Sequence, residues 1–325
     1  MRHFLKIYTS AILLAAVCWP LADVEAQTGW NVVRKGTAGD LIAVYFVDAN
    51  KGWIGGDAGY LGQTKDGGGT WTRQNLNTSG NVNDIYFRAP DIGYVLAGSK
   101  IFITNDGGVS WREVKAFAPS EFLGSVPEFY SIRFADKKKG WIVGSVSRGD
   151  EIVDSLVLRT EDGGSSWKRV RVPTTEELFH LDFANESRGW IVGSSGVILA
   201  TENGGESWQT QRSGTVSGLF NVDFRNAKDG WAVGESGIII RTEDGGKTWL
   251  RSFPNFKNTF LRVNAVDDKS IWVAGRGGLI LRSDDKGKSW IKQDSRTTEN
   301  LFGLYMDKKT GWAVGGKGIV LKYVR

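Results

Sequence analysis

Short stretches of alternating apolar and polar residues recur along this chain in a fixed order. An alternating stretch such as Leu301–Met306 leads to a charged turn, an apolar run (GWAVG at Trp312) and a glycine turn. A third strand such as Ile238–Thr242 follows, then an Asp-containing turn and a fourth strand opened by Trp. A period of two, cut by Gly- and Asp-containing turns, predicts antiparallel strands. Two phrases set the repeat. One carries an aromatic at Trp53, Tyr94, Trp141, Trp190, Trp231, Trp272 and Trp312; the other, S/T-x-D-x-G-x-S/T-W, ends at Trp71, Trp111, Trp167, Trp208, Trp249 and Trp290. Trp30 precedes Trp71 by forty-one residues, the interval that also separates Trp167, Trp208, Trp249 and Trp290, so it supplies the seventh member of the second series.

Four strands in a repeat of about forty residues make one blade of a β-propeller. The expected fold is therefore all-β, a seven-bladed β-propeller of four-stranded antiparallel blades. The last unit stops after three strands at Ile319–Arg325, whereas Trp30–Arg34 is a lone strand at the other end. The N-terminal strand is expected to complete the last blade, closing the ring and removing free sheet edges.

The second phrase is an Asp-box. The side chains of Asp66, Asp106, Asp162, Asn203, Asp244 and Asp285 suit turns in which an Asx oxygen accepts backbone N–H groups, with a following glycine free to take positive φ. Six such turns spread round a ring cannot converge on one ligand, so they read as structural, with no metal and no cofactor.

The first residues carry Arg2 and Lys6, an apolar run from Ile7 to Val17, and Val24-Glu25-Ala26 before a cleavage point. Residues 1–26 read as a signal peptide and 27–325 as one propeller domain, exported to the periplasm or beyond. The apolar run is short for a membrane span. Cys18 raises lipoprotein anchoring as an alternative, although Val17 is a poor residue before a lipidated Cys. Without Cys18 no cysteine remains, so disulfides are excluded. The net charge of +5 is of mixed sign and survives cleavage, which argues against nucleic acid as a partner.

Strand alternation places the Asp-box turns on one face of the ring and the glycine turns, with the connections between units, on the other. Two insertions, 115–129 and 145–155, break the rhythm of the third unit on that second face. Long loops on a rigid scaffold are where binding resides. The candidate partner-binding residues are Phe117, Phe122, Leu123, Phe129 and Arg148, with Arg276 and Lys317 from glycine turns near the channel mouth. A protein partner and a monomeric state are expected.

Little in the inventory favours catalysis. Outside the leader His180 is the single histidine, on an inner strand, and a packing role suits it better than a catalytic one. No pair of carboxylates stands out for a glycosidase, and the chain lacks the Arg-Ile-Pro of sialidases, which also carry Asp-boxes. A glycan-binding or glycosidase propeller remains the alternative.

The pairing of GWxVG with TxDGGxSW over seven units, behind an export signal and a Trp-x-Val strand, resembles the photosystem II stability/assembly factor family across residues 29–325. That resemblance implies a luminal or periplasmic seven-bladed propeller, in the thylakoid lumen where the host is phototrophic. It further implies an assembly chaperone for membrane-protein intermediates that works without catalysis.

Overall fold

The computed structural model describes residues 28–35, 39–115 and 119–325. Their strands form seven four-stranded antiparallel sheets, blades 1 to 7 in chain order. Blade 1 shows the plan: inner strand Leu41–Phe46, then Gly52–Gly56, Tyr60–Thr64 and the outer strand Thr72–Gln74. Blade 7 takes Leu301–Met306, Thr310–Gly315 and Val320–Val324 from the C-terminus and its outer strand, Gly29–Arg34, from the N-terminus. Trp30 lies opposite Tyr323 and Asn31 opposite Lys322, so the ring closes where the chain ends meet.

The blades are held together by a repeating aromatic stack. The Trp312 ring of blade 7 stacks on Phe46 of blade 1, with centroids 3.6 Å apart, while Trp71 meets the same Phe46 edge-on at 6.2 Å. Trp53 with Phe87 and Trp111, Trp141 with Phe183 and Trp208, and Trp190 with Phe224 and Trp249 repeat the arrangement. Each such ring pair stabilises by about 0.5–1.5 kcal/mol beyond its buried area. The stack also explains the glycine of the GW phrase, because a Cβ on Gly52 would lie 2.5 Å from the Phe46 ring.

Hydrogen bonds tie the turns of each face together. The Gly67 N–H of an Asp-box donates to Asn50 O of the charged turn at 2.8 Å on one face. On the other face Asp57, in a glycine turn, donates its N–H to Asp40 O at 3.0 Å and accepts from Asp40 N–H at 2.8 Å. Among the described residues no helix is long and apolar enough to cross a membrane. The expected signal peptide and Cys18 lie outside the described residues.

Candidate functional site

Blade 3 is built longer than its neighbours. Its first three strands are Val126–Phe134, Gly140–Arg148 and Glu151–Thr160, whereas those of blade 4 are Leu178–Phe183, Gly189–Gly193 and Ile198–Thr201. Residues 145–155, expected as a loop, are the paired end of a hairpin that turns at Gly149 (φ +61°). Val126 joins the same sheet opposite Ser147, which is opposite Ile152. The result is a three-stranded projection on the glycine-turn face.

The two sides of the projection differ. On one side Val146 is buried in a core with Phe122, Phe129, Tyr94 and Ile101, and Arg169 lies over the Phe122 ring at 5.3 Å while bonding Asp154 at 2.7 Å. On the other, Glu128, Ser145 and Ser155 form the lower row by strand alternation. Ser145 Oγ lies 3.0 Å from Tyr130 OH, which donates to Glu177 at 2.8 Å, and Ser155 Oγ donates to Thr174 O at 2.8 Å. The segment leading into blade 4 therefore runs along the foot of the projection. One row higher, Val126 and Ile152 are 60% and 38% exposed, with Val153 beside them at 37%.

This arrangement corrects two expected contact residues. Phe122 and Phe129 are buried in the blade core, because the projection folds over them, and neither presents a surface to a partner. Leu123 is 84% exposed, at a turn with φ +39°. Arg148 is exposed and its Nη2 reaches to 3.5 Å from Ser125 Oγ, so Leu123, Val126 and Arg148 share one tip. Arg276 and Lys317 are exposed too, but they stand in blades 6 and 7, and Lys317 is paired with Glu299 at 2.8 Å. The structure does not bring them to the tip. Phe117 lies outside the described residues.

The Asp-box side chains are spent inside their own turns. Thr64 Oγ1 donates to Asp66 Oδ1 (2.7 Å) and accepts from Gly68 N–H (2.9 Å), while Thr70 donates its N–H to Oδ1 and its hydroxyl to Oδ2. Hydroxyl donation from Thr70, followed by its N–H, holds the Asp66 carboxyl down at about 2. Asp106, Asp162, Asp244 and Asp285 repeat the pattern. Asn203 does the same with an amide, accepting from Ser207 N–H at 3.0 Å and donating to Ser207 Oγ at 2.9 Å.

The central channel holds charges that the strand pattern alone did not rank. A cavity of about 230 Å³ is lined by Asp84, Arg133, His180, Asp182, Asp223 and Arg262, among others. The three carboxylates, with Asn221 beside them, satisfy the free inner edge of the next blade. Asp84 accepts from Ile132 N–H (2.9 Å), Asp182 from Phe224 N–H (2.7 Å), Asn221 from Val263 N–H (3.0 Å) and Asp223 from Ala265 N–H (2.8 Å). Arg133 bonds Asp84 at 2.7 Å and lies 2.9 Å from His180 Nε2. A guanidinium can only donate, so that nitrogen accepts and the imidazole is neutral. Burial, then Arg133 and Arg262, keep His180 far below its usual range. Burial first, and the neighbouring Asp223 second, push Asp182 up to about 7. The sequence does carry one signal for the aromatic stack: in the first five blades a Phe stands six residues before the repeat glycine, at Phe46, Phe87, Phe134, Phe183 and Phe224.

Comparison with known proteins places this geometry. The family model "Photosynthesis system II assembly factor YCF48" matches residues 70–175, 160–257 and 252–324. A photosystem II assembly lipoprotein Ycf48 from Synechococcus sp. (strain CC9902) is 28% identical over 105 residues, a match spanning 32% of this chain and 28% of that relative. The solved structure of YCF48 bound to D1 peptide superposes with a TM-score of 0.74 at 22% identity, over 92% of this chain and 98% of the other. A virginiamycin B lyase from Staphylococcus aureus gives the same TM-score at 15% identity over 92% and 100%, so the fold by itself does not choose between binding and catalysis. The family model, which accounts for most of the ring, does choose a lineage: the chain belongs to the photosynthesis system II assembly factor YCF48 family.

Proposed function

We propose that this protein is a non-enzymatic, extracytoplasmic propeller that binds segments of membrane or envelope proteins during their assembly. Residues 1–26 serve as its export signal. In a phototrophic host its compartment is the thylakoid lumen. The observation that carries this reading is the bare side of the blade 3 projection, where Val126 and Ile152 are exposed on a paired sheet and Leu123 is exposed at the turn that leads into it. Family membership supports it, as does the D1 peptide bound by one YCF48. The absence of catalysis is supported by how the carboxylates are used: those of the Asp-boxes within their turns, those of the channel on backbone N–H groups of the next blade.

A photo-crosslinking residue at Leu123, compared with one at Val109 on the Asp-box face, tests the reading in the native host. Membrane or envelope proteins identified by mass spectrometry are expected from position 123 and not from 109. Equal yields at both positions, or none at 123, would sink it. N-terminal sequencing of the exported chain is expected to begin at Gln27.

A further inference from the structure

The ledge beside the blade 3 projection has a chemistry of its own. Its wall is the unpartnered row Val126, Ser147 and Ile152, apolar at both ends. At its foot stand Glu128, Glu176 and Glu177, whose hydrogen bonds come from neutral donors only. Glu176 accepts from Ser194 Oγ (2.6 Å) and Ser195 Oγ (2.9 Å), Glu177 from Tyr130 OH (2.8 Å), and Glu128 more loosely from Asn83 Nδ2 (3.4 Å). None of the ion pairs among the described residues involves these three carboxylates, nor Asp150 and Glu151 at the hairpin tip. Among the described residues Arg148, opposite Glu151 in register, is the cation of the hairpin tip, Arg169 is committed to Asp154 on the covered side, and Arg171 is exposed on the segment that follows it. At its inner end the ledge meets a half-buried aromatic run, with Tyr130 and Phe179 centroids 6.1 Å apart and Phe179 and Phe220 5.1 Å apart.

We infer that this ledge binds an extended polypeptide segment in which apolar side chains alternate with lysine or arginine. The inference rests on the protein-binding reading above and adds the chemistry of the partner. An extended chain presents alternate side chains to opposite directions, so one set meets the Val126 and Ile152 wall while the other reaches the carboxylates. Charge complementarity selects the sign: an acidic segment would bring like charges against five carboxylates, although the protein as a whole carries a net charge of +5. Taking up such a segment gives each foot carboxylate the cationic partner it lacks in the free protein.

Fluorescence anisotropy with the full exported chain and three short labelled peptides tests the inference. The peptides alternate Val with Lys, Val with Glu, and Ser with Lys. The Val–Lys peptide is expected to bind about tenfold or more tighter than either of the others, and to weaken as salt is raised. The triple variant Glu128→Gln, Glu176→Gln and Glu177→Gln keeps every hydroxyl acceptor and is expected to lose that preference. Ile152→Asp, at an exposed position, should weaken all binding while leaving thermal unfolding in place, which guards against a fold defect in the triple variant. Equal binding of the Val–Glu peptide, or an unchanged preference in the triple variant, overturns the inference. If the Leu123 cross-link then persists, the assembly role survives and only the partner chemistry falls. If the cross-link is missing while the Val–Lys preference holds, the ledge chemistry stands and the assembly role falls.

Discussion

The Asp-box face and the glycine-turn face are made by the same repeat, yet only one of them is uniform. On the Asp-box face every turn closes on itself: Thr64, Asp66 and Thr70 consume each other's donors and acceptors, and Thr160, Asp162 and Ser166 do so again two blades on. On the glycine-turn face blade 3 grows into a projection that is packed on one side and bare on the other. A repeated scaffold thus spends its polar groups on turns and its aromatic rings on blade contacts, and frees a surface only where one unit departs from the period.

The largest expected effects fall on the shared scaffold. Phe224 is sandwiched by Trp190 (3.4 Å) and Trp249 (5.8 Å), so Phe224→Ala should cost about 3–5 kcal/mol in denaturant unfolding. Phe129→Ala should cost a comparable amount despite lying in the inserted segment, because Phe129 is fully buried in the blade core. A loss below about 1 kcal/mol at Phe129 would mean that the projection is a loose appendage, and the contrast of packed and bare sides would fail.

Next comes the cap of a single Asp-box. Thr160→Val removes the acceptor of the Gly164 N–H (2.9 Å) and the donor to Asp162 (2.8 Å) at a fully buried site, for an expected loss of about 1–3 kcal/mol. A loss confined to blade 3, read by hydrogen exchange, would sharpen the view that each turn is self-contained.

Much of this was legible in the chain because the repeat writes it many times. The spacing of Trp30 from Trp71 was enough to place the N-terminal strand against Tyr323 and close the ring. Residues 115–129 and 145–155 were harder, since their pattern occurs once and no second copy shows its register. Ser-Arg-Gly-Asp reads equally as a loop or as the tip of a hairpin, and only pairing with Val126 decides it. Burial of Phe122 and Phe129 followed from that pairing and could not be read before it. The channel charges were illegible for another reason: which inner-edge N–H a carboxylate satisfies depends on the neighbouring blade, forty or more residues away.

The channel and the Asp-boxes pull stability in opposite directions with pH. The Asp182 carboxyl is raised to about 7 in the folded state, above its ordinary 3.8, so the fold holds that proton more tightly than the unfolded chain. Its contribution is full below about pH 4 and falls as pH rises toward 7. The Asp66 and Asp244 carboxyls, lowered to about 2, contribute above about pH 4 and lose that contribution as pH falls toward 2. Asp182→Asn keeps an acceptor for Phe224 N–H and removes the titration. The variant should gain on the parent at about pH 8 and match it near pH 3.5 in urea midpoints. An unchanged difference at both values would place the proton elsewhere in the channel.

The smallest effect on stability should accompany the largest on binding. Leu123 is 84% exposed and its side chain covers nothing, so Leu123→Asp should move unfolding by no more than about 0.5 kcal/mol. The same change sets a charge at the tip that Val126 shares, where a bound segment would have to strip its water. Capture of a cross-linked partner from a reporter at Ile152 should therefore fall in Leu123→Asp, while the melting curve overlays the parent. Val109→Asp, on the Asp-box face and similarly exposed at 74%, should leave both readouts unchanged. If the two substitutions behave alike, the faces do not differ in function, and the departure of blade 3 from the repeat is architectural only.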